Sequence, residues 1–344
     1  MNSARRALLA APFLAAAAAR AQALFTDDAG RQVALPATVR KMFAAGPPAS
    51  ILLFALAPEK LAGWTTPWRE AEKAFVDARW AELPVTGRLT GRGGSANLEE
   101  VLRAAPDLIL DYGSVSDTFV SLADRVQEQT RIPVLLLDGR FDLIARSFQR
   151  LGAAIGAADA GERLAADAEA RLAAVDAVVA TVPEAARPRV YYGRNPDGLT
   201  TGLEGSINVE TLGRAGGRNV AASLGRGGLA QVNLEQVLAW DPEVIVTTDP
   251  RFFARIQTDR LWAGVRARRD GRVHLSPPNP FGWIDFPPGT NRLIGVEWLA
   301  RVLFPEKFAE PFGPSVESFY ALHYHRAPGA AQLRAMLATL ERMA

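Results

Sequence analysis

The sequence predicts an α/β protein made of two βα lobes with mainly parallel sheets, joined by one long helix. Three observations carry this. Short apolar runs alternate with stretches of helical period from Lys41 to Asp138 and again after Arg189, the pattern of βα units. Between the two series lies an Ala-, Leu- and charge-rich helical tract. A fourteen-residue segment of the first series recurs in the second.

Residues 1–23 read as a signal peptide. Arg5 and Arg6 are followed by an uninterrupted small or apolar run from Ala7 to Ala19, and Ala21-Gln22-Ala23 matches the A-x-A pattern of signal peptidase sites. The run is shorter than the roughly 20 residues a membrane-spanning helix needs. Arg5-Arg6-Ala7-Leu8-Leu9 also fits the loose twin-arginine pattern. The expected location is therefore the periplasm. Removing residues 1–23 takes three arginines and no acid from a 344-residue chain of formal net charge +2, leaving −1. The pI of 9.1 then gives no support to nucleic-acid binding. With no cysteine the chain has no disulfide, no thiolate nucleophile and no cysteine to carry a lipid.

Residues 24–140 form the expected N-terminal lobe, with "KMFAAG", "ASILLFALA", "NLEEVLRAA", "DLILDY" and "PVLLLD" as successive elements. Residues 141–183 are the linker helices. The second half of this tract, "ADAGERLAADAEARLAAVDAVVATVP", is stopped by Pro183 and makes a rod of roughly 35 Å at 1.5 Å per residue. Arg171 on this rod is expected to be solvated. Residues 184–344 are the C-terminal lobe, built from "RVYYGR", "NLEQVLAW", "EVIVTTD", "RVHLS" and "NRLIGVEWLARVLF". Its tail from Phe308 reads as irregular chain ending in one helix from about Ala330.

"NLEEVLRAAPDLIL" from Asn97 and "NLEQVLAWDPEVIV" from Asn233 agree at seven of fourteen positions, 136 residues apart, and GRGG precedes both, at Gly91–Gly94 and Gly225–Gly228. An Asn cap, an apolar face and a Pro before a strand are what any helix-to-strand unit favours. The shared Glu99 and Glu235 and the shared GRGG are not required by that, and point to duplicated lobes.

With these segments, the opening "FTDDAGRQVALPATVRKM" and "GRVHLSPPNPFGWIDFPPGTNRLIGVEWLARVLFP", the chain resembles the periplasmic substrate-binding proteins of ABC importers for ferric siderophores, haem and cobalamin. The "GWIDFPP...NRLIG" segment looks closer to a branch that includes molybdate and tungstate binders. The resemblance implies a ligand cleft between the lobes, a monomer, and delivery to an ABC permease dimer. It also implies that Glu99 and Glu235 are the acids presented to the permease. The alternative for each is simply a favourable charge at a helix N-terminus.

In open α/β sheets ligands lie at the carboxyl ends of the strands. The loops expected there are rich in Arg, Gly and aromatics. Arg88, Arg92, Arg194 and Arg226 are the candidate anion ligands, because a guanidinium stays charged and binds two oxygens at once. Glycines beside Arg92 and Arg226 would let backbone N–H groups form an anion nest ahead of a helix. Trp64, Trp68, Tyr112, Tyr191, Tyr192, Phe281 and Trp283 are candidates for an aromatic wall. Tyr112 and Trp283 are the two chosen as ligand contacts, Trp283 because its loop is dense in Pro and Gly. The expected ligand is a small anionic metal chelate of the iron-siderophore type, with a molybdate or tungstate oxyanion as the alternative.

An enzyme is not expected. There is no G-x-S-x-G elbow, no Walker A string and no dinucleotide-binding glycine pattern. No resident cofactor or metal is expected either, since histidine is limited to His274, His323 and His325, and the latter two read as a surface pair. A periplasmic adaptor without a ligand is the remaining class.

Overall fold

The structure is a computed structural model and describes residues 23–91 and 97–341. The first lobe opens with an antiparallel hairpin, β1 (Leu24–Thr26) and β2 (Gln32–Ala34). Its turn is tied to the sheet behind it, since Asp28 N–H donates to the Leu136 carbonyl and Leu136 N–H donates to the Asp27 carboxylate. The chain continues through β3 (Met42–Ala44), α1 (Pro47–Leu56), the single turns α2 (Glu70–Lys73) and α3 (Ala78–Ala81), then α4 (Leu98–Ala104), β4 (Leu108–Gly113), α5 (Asp117–Thr130) and β5 (Val134–Asp138). Strands β3, β4 and β5 form a parallel sheet with β4 at its centre.

Two helices follow, α6 (Phe141–Ile155) and α7 (Ala158–Val179), turning on Gly156 in the left-handed conformation. The 22 residues of α7 span about 33 Å. Gly152 and Gly161 are packing residues here. A Cβ on Gly161 would stand 2.5 Å from the Phe148 carbonyl oxygen, so only glycine lets α6 and α7 approach this closely.

The second lobe runs β6 (Arg189–Gly193), β7 (Thr200–Gly202), α8 (Glu210–Arg214), β8 (Arg218–Asn219), β9 (Leu229–Gln231), α9 (Leu234–Trp240), β10 (Val244–Thr247), α10 (Pro250–Thr258), α11 (Arg266–Arg269) and β11 (Val273–Leu275). Its four-stranded sheet has the order β11-β10-β6-β8, all parallel, and β7 and β9 form a separate antiparallel ribbon. Helices α12 (Arg292–Leu303), α13 (Gly313–His323) and α14 (Ala330–Glu341) complete the chain.

The period-two alternation of strand side chains divides the core. Leu108, Leu110 and Tyr112 of β4, and Val190, Tyr192, Val244 and Val246 of the second sheet, all belong to one hydrophobic core that runs through α1, α7 and α12. Ile109 faces a smaller cluster beneath α5, whereas Tyr191 and Ile245 face another beneath α10. The lobes are therefore joined by apolar packing as well as by covalent chain.

Three local expectations are corrected. Residues 313–323 form α13, not irregular chain. Pro311, Gly313 and Pro314 obscure the signal, yet Val316, Phe319, Tyr320 and His323 recur at i, i+3, i+4 and i+7 and are buried against α1 and α12. Arg171 is buried, paired with Asp167 at 2.7 Å and Glu297 at 2.6 Å and hydrogen-bonded to Ser315 and Ser318. His323 is fully buried, with Nε2 2.9 Å from the Asp167 carboxylate, and burial lowers its pKa against the pull of Asp167. His325 alone of that pair is exposed, and its Nε2 meets the Phe54 carbonyl at 2.7 Å.

Candidate functional site

A cavity of about 340 Å³ opens between the carboxyl ends of the two sheets. On the first lobe its wall is made by the N-terminus of α1, by residues 88–91 and by the end of β4. Leu89 and Thr90 both donate their N–H to the Ala45 carbonyl, which seats Thr90 over the β3–α1 turn. Gly46 in that turn is obligatory, because a Cβ there would stand 2.5 Å from Thr90 Oγ1. Thr90 Oγ1 in turn donates to Asp111 Oδ1 at 3.1 Å.

Asp111 ends the apolar run of β4 and is only 8% exposed. Burial pushes its carboxyl up to about 6, against the lowering effect of Thr90 and of the Tyr112 backbone N–H. The next residue, Tyr112, also lines the cavity, and its buried hydroxyl has no hydrogen-bond partner among the described residues. Burial raises its pKa, so the phenol stays protonated and is a donor without an acceptor.

The second lobe contributes Arg194, Asn195, Asn208 and the 285–288 segment. Arg194 continues β6 and lies 2.9 Å from the Asp285 carboxylate, with its guanidinium 4.3 Å above the Phe286 ring. Burial alone would lower the Arg194 pKa, but Asp285 outweighs it and the group is held charged. Asp285 is fully buried and also accepts from Tyr192 Oη at 3.0 Å and Asn208 Nδ2 at 2.9 Å. Phe286 has φ +60°, a left-handed conformation rare for an aromatic residue, and it is 49% exposed at the cavity rim.

Of the sequence candidates, Arg88, Tyr112 and Arg194 line this one cavity. Arg92 lies outside the described residues. Arg226 is exposed and stands instead over a separate surface hollow with Arg187, Arg218 and Glu204, where it makes no hydrogen bond or ion pair among the described residues. Trp283 is fully buried and does not reach the cavity. Its Nε1 donates to Tyr320 Oη at 2.9 Å and its ring packs edge-on against Phe312. The Pro- and Gly-rich loop folds inward here because Gly295 of α12 leaves room for it, a Cβ there falling 1.9 Å from the Trp283 carbonyl oxygen. Trp64, Trp68 and Phe281 form a ring cluster around a smaller neighbouring hollow, and Tyr191 is spent on the outer core, donating to the Gly198 carbonyl.

The two buried carboxylates, Asp111 and Asp285, were missed. The available sign was an acid closing an apolar strand run in "DLILDY" and another inside "GWIDFPP". Glu99 and Glu235 are exposed at the second position of α4 and α9, each behind an Asn whose side chain accepts from the backbone N–H three residues on, at 2.9 and 2.8 Å. Neither lines the cavity. No group of three or more His, Asp or Glu side chains capable of holding a metal ion occurs among the described residues.

The family described as "Periplasmic binding protein" matches residues 51–280, two thirds of the chain. The chain belongs to the periplasmic binding protein family. The molybdate-binding protein MolA of Haemophilus influenzae is 28% identical over 89% of this chain and 92% of its own. A solved ABC transporter solute-binding protein from Sulfurospirillum deleyianum superposes with a TM-score of 0.83 at 27% identity, covering 92% of this chain and 99% of that one. The solved structure of MolA bound to molybdate superposes with a TM-score of 0.74 at 23% identity, over 89% of this chain and 98% of its own. These relatives are solute-binding components of ABC transporters and not enzymes. Substrate-binding proteins of this family work with ABC permeases and bind small anionic or metal ligands. No helix of the described residues is long and apolar enough to cross a membrane.

Proposed function

We propose that this protein captures a small oxyanion of the molybdate and tungstate class in the periplasm and delivers it to an ABC permease dimer, with Glu99 and Glu235 as the docking acids. The observation that supports the ligand most directly is the meeting of Arg88, Arg194 and Tyr112 at one cavity, with the buried Tyr112 hydroxyl lacking a partner among the described residues. A buried donor without an acceptor costs about 1–3 kcal/mol, and an anionic oxygen cancels that cost. Likeness to MolA over nearly the whole chain supports the same class. Arg88 and Arg194 supply charge, Tyr112 supplies a directed hydrogen bond, and the N-terminus of α1 beside Pro47 adds the positive end of a helix dipole.

A metal chelate is the second reading. It is favoured by the apolar part of the wall, Phe119, Leu229 and Phe286, and by volume. At roughly 30 Å³ per water-sized group, a four-oxygen anion needs on the order of 100 Å³, and the cavity offers about 340 Å³. Purification from the native periplasm, with elemental analysis and mass spectrometry of what denaturation releases, decides between them. Molybdenum or tungsten without an organic partner, together with saturable binding of molybdate and not of ferric chelates, is the expected result. Iron with an organic chelator would establish the second reading, and no ligand of either kind would favour an adaptor.

A further inference from the structure

The duplicated helices carry a second shared feature beyond their glutamates. From Asn97 and from Asn233 the exposure of successive residues follows one pattern through seven positions: exposed, half-buried, exposed, half-buried, buried, exposed, exposed. Val101 and Val237 are the buried members. Leu102 and Leu238 follow them on the solvent side, 54% and 37% exposed. Leu238 is the less exposed because it leans over Gly264, where a Cβ would stand 3.0 Å from its Cδ2.

A single leucine on a protein surface needs no explanation. Here the same exposed leucine occupies the same position in both lobes, three residues beyond the exposed glutamate and so on the same helical face. Neither leucine belongs to a hydrophobic core cluster. Each helix is capped by its Asn, anchored by its inward Val, and ended by a left-handed residue, Ala105 at φ +46° or Asp241 at φ +42°. Asp107 and Glu243 then fasten each unit to the start of a neighbouring parallel strand, accepting from the backbone N–H of Arg40 just ahead of β3 and of Arg189 at the head of β6.

We propose that Glu99 with Leu102 and Glu235 with Leu238 are two copies of one docking patch, each an apolar knob beside an acid, which together fit the two equivalent subunits of a permease dimer. This rests on the delivery reading above and names the contact that reading lacked. A duplicated patch on one chain matches a partner that presents the same surface twice. The acids draw and orient the encounter, and each leucine leaves water on contact, giving the apolar centre and charged rim of an ordinary interface.

The test places a photo-crosslinking amino acid at position 102 or 238 of the full-length protein in producing cells. Both positions should capture the same integral-membrane ABC permease polypeptide, and reversing both glutamates to Lys should cut the yield at least tenfold. The double variant Leu102→Ser with Leu238→Ser should keep the melting temperature of the parent yet bind permease-containing membrane vesicles at least tenfold more weakly. Capture from one position only, capture of a second copy of this chain or of an unrelated protein, or undiminished vesicle binding by the serine variant would overturn the proposal. If vesicle binding is lost on glutamate reversal but not in the serine variant, the acids dock without the leucines. If neither change matters, the delivery reading itself falls.

Discussion

The unit α4–β4 of the first lobe and the unit α9–β10 of the second share cap, inward valine, left-handed helix end and a central place in a parallel sheet. They part where the strands reach the cleft. β4 delivers Asp111, a buried carboxylate held by one hydroxyl and a backbone N–H, with no ion-pair partner among the described residues. The second lobe places Asp285 in the same cavity with Arg194, Tyr192 and Asn208 all upon it. What the two units share is scaffold and outer surface; the position in β10 that matches Asp111 is Thr247, and the second buried carboxylate of the cavity comes from a segment beyond β11. A buried carboxylate matched by a cation is structural, whereas one left without a cation responds to whatever enters.

The sharpest way to break this contrast is to remove the matched acid. Asp285→Ala leaves Arg194 buried beside no anion and should cost about 3–5 kcal/mol of stability, the range for breaking a buried pair, read by urea denaturation. A loss below about 1 kcal/mol would mean that Arg194 escapes to solvent and that the two acids are equivalent.

Asp111→Asn should act in the opposite direction. Its folded carboxyl titrates near 6 instead of 3.8, so the ionised form is disfavoured by folding. Stability from the protonated form is fully present below about pH 4 and is lost as pH rises through about 6. The Asn variant removes that loss and should be about 2–3 kcal/mol more stable than the parent at pH 8 but not at pH 4. An entering anion raises the Asp111 pKa further. Molybdate affinity should therefore increase as pH falls from 8 to 6, by up to about tenfold per unit, and titration calorimetry should show the slope flattened in the Asn variant.

Tyr112→Phe sharpens the ligand side. The hydroxyl has no protein partner among the described residues, so removing it should leave the ligand-free variant at least as stable as the parent, with an equal or higher melting temperature. It should lose about 1.5–3 kcal/mol of anion affinity, the range for a hydrogen bond to a charged group. Arg226→Ala, outside the cavity, is the control and should leave affinity unchanged.

The smallest effect tests the duplication itself. Asn97→Ala and Asn233→Ala each delete one cap and should each cost about 1 kcal/mol, measured as paired shifts in denaturation midpoint. Costs differing by more than about 1 kcal/mol would show that the matching geometry hides unequal energetics.

The sequence by itself determined the βα order, the linker helix, the repeat with its Asn caps, and three of the cavity residues, Arg88, Tyr112 and Arg194. These rest on local periodicity, turn chemistry and strand ends, which neighbouring residues specify. The destinations of Arg171, Trp283 and Arg226 were decided only in three dimensions. Arg171 lies on an apparently solvated helix face until Glu297, 126 residues away, and the obscured helix α13 close over it. Trp283 sits in a loop that reads as exposed until Gly295 makes a slot for it. The raised pKa of Asp111 also comes only with folding, because burial among residues distant in sequence sets the charge state of a carboxylate in a way no local pattern records.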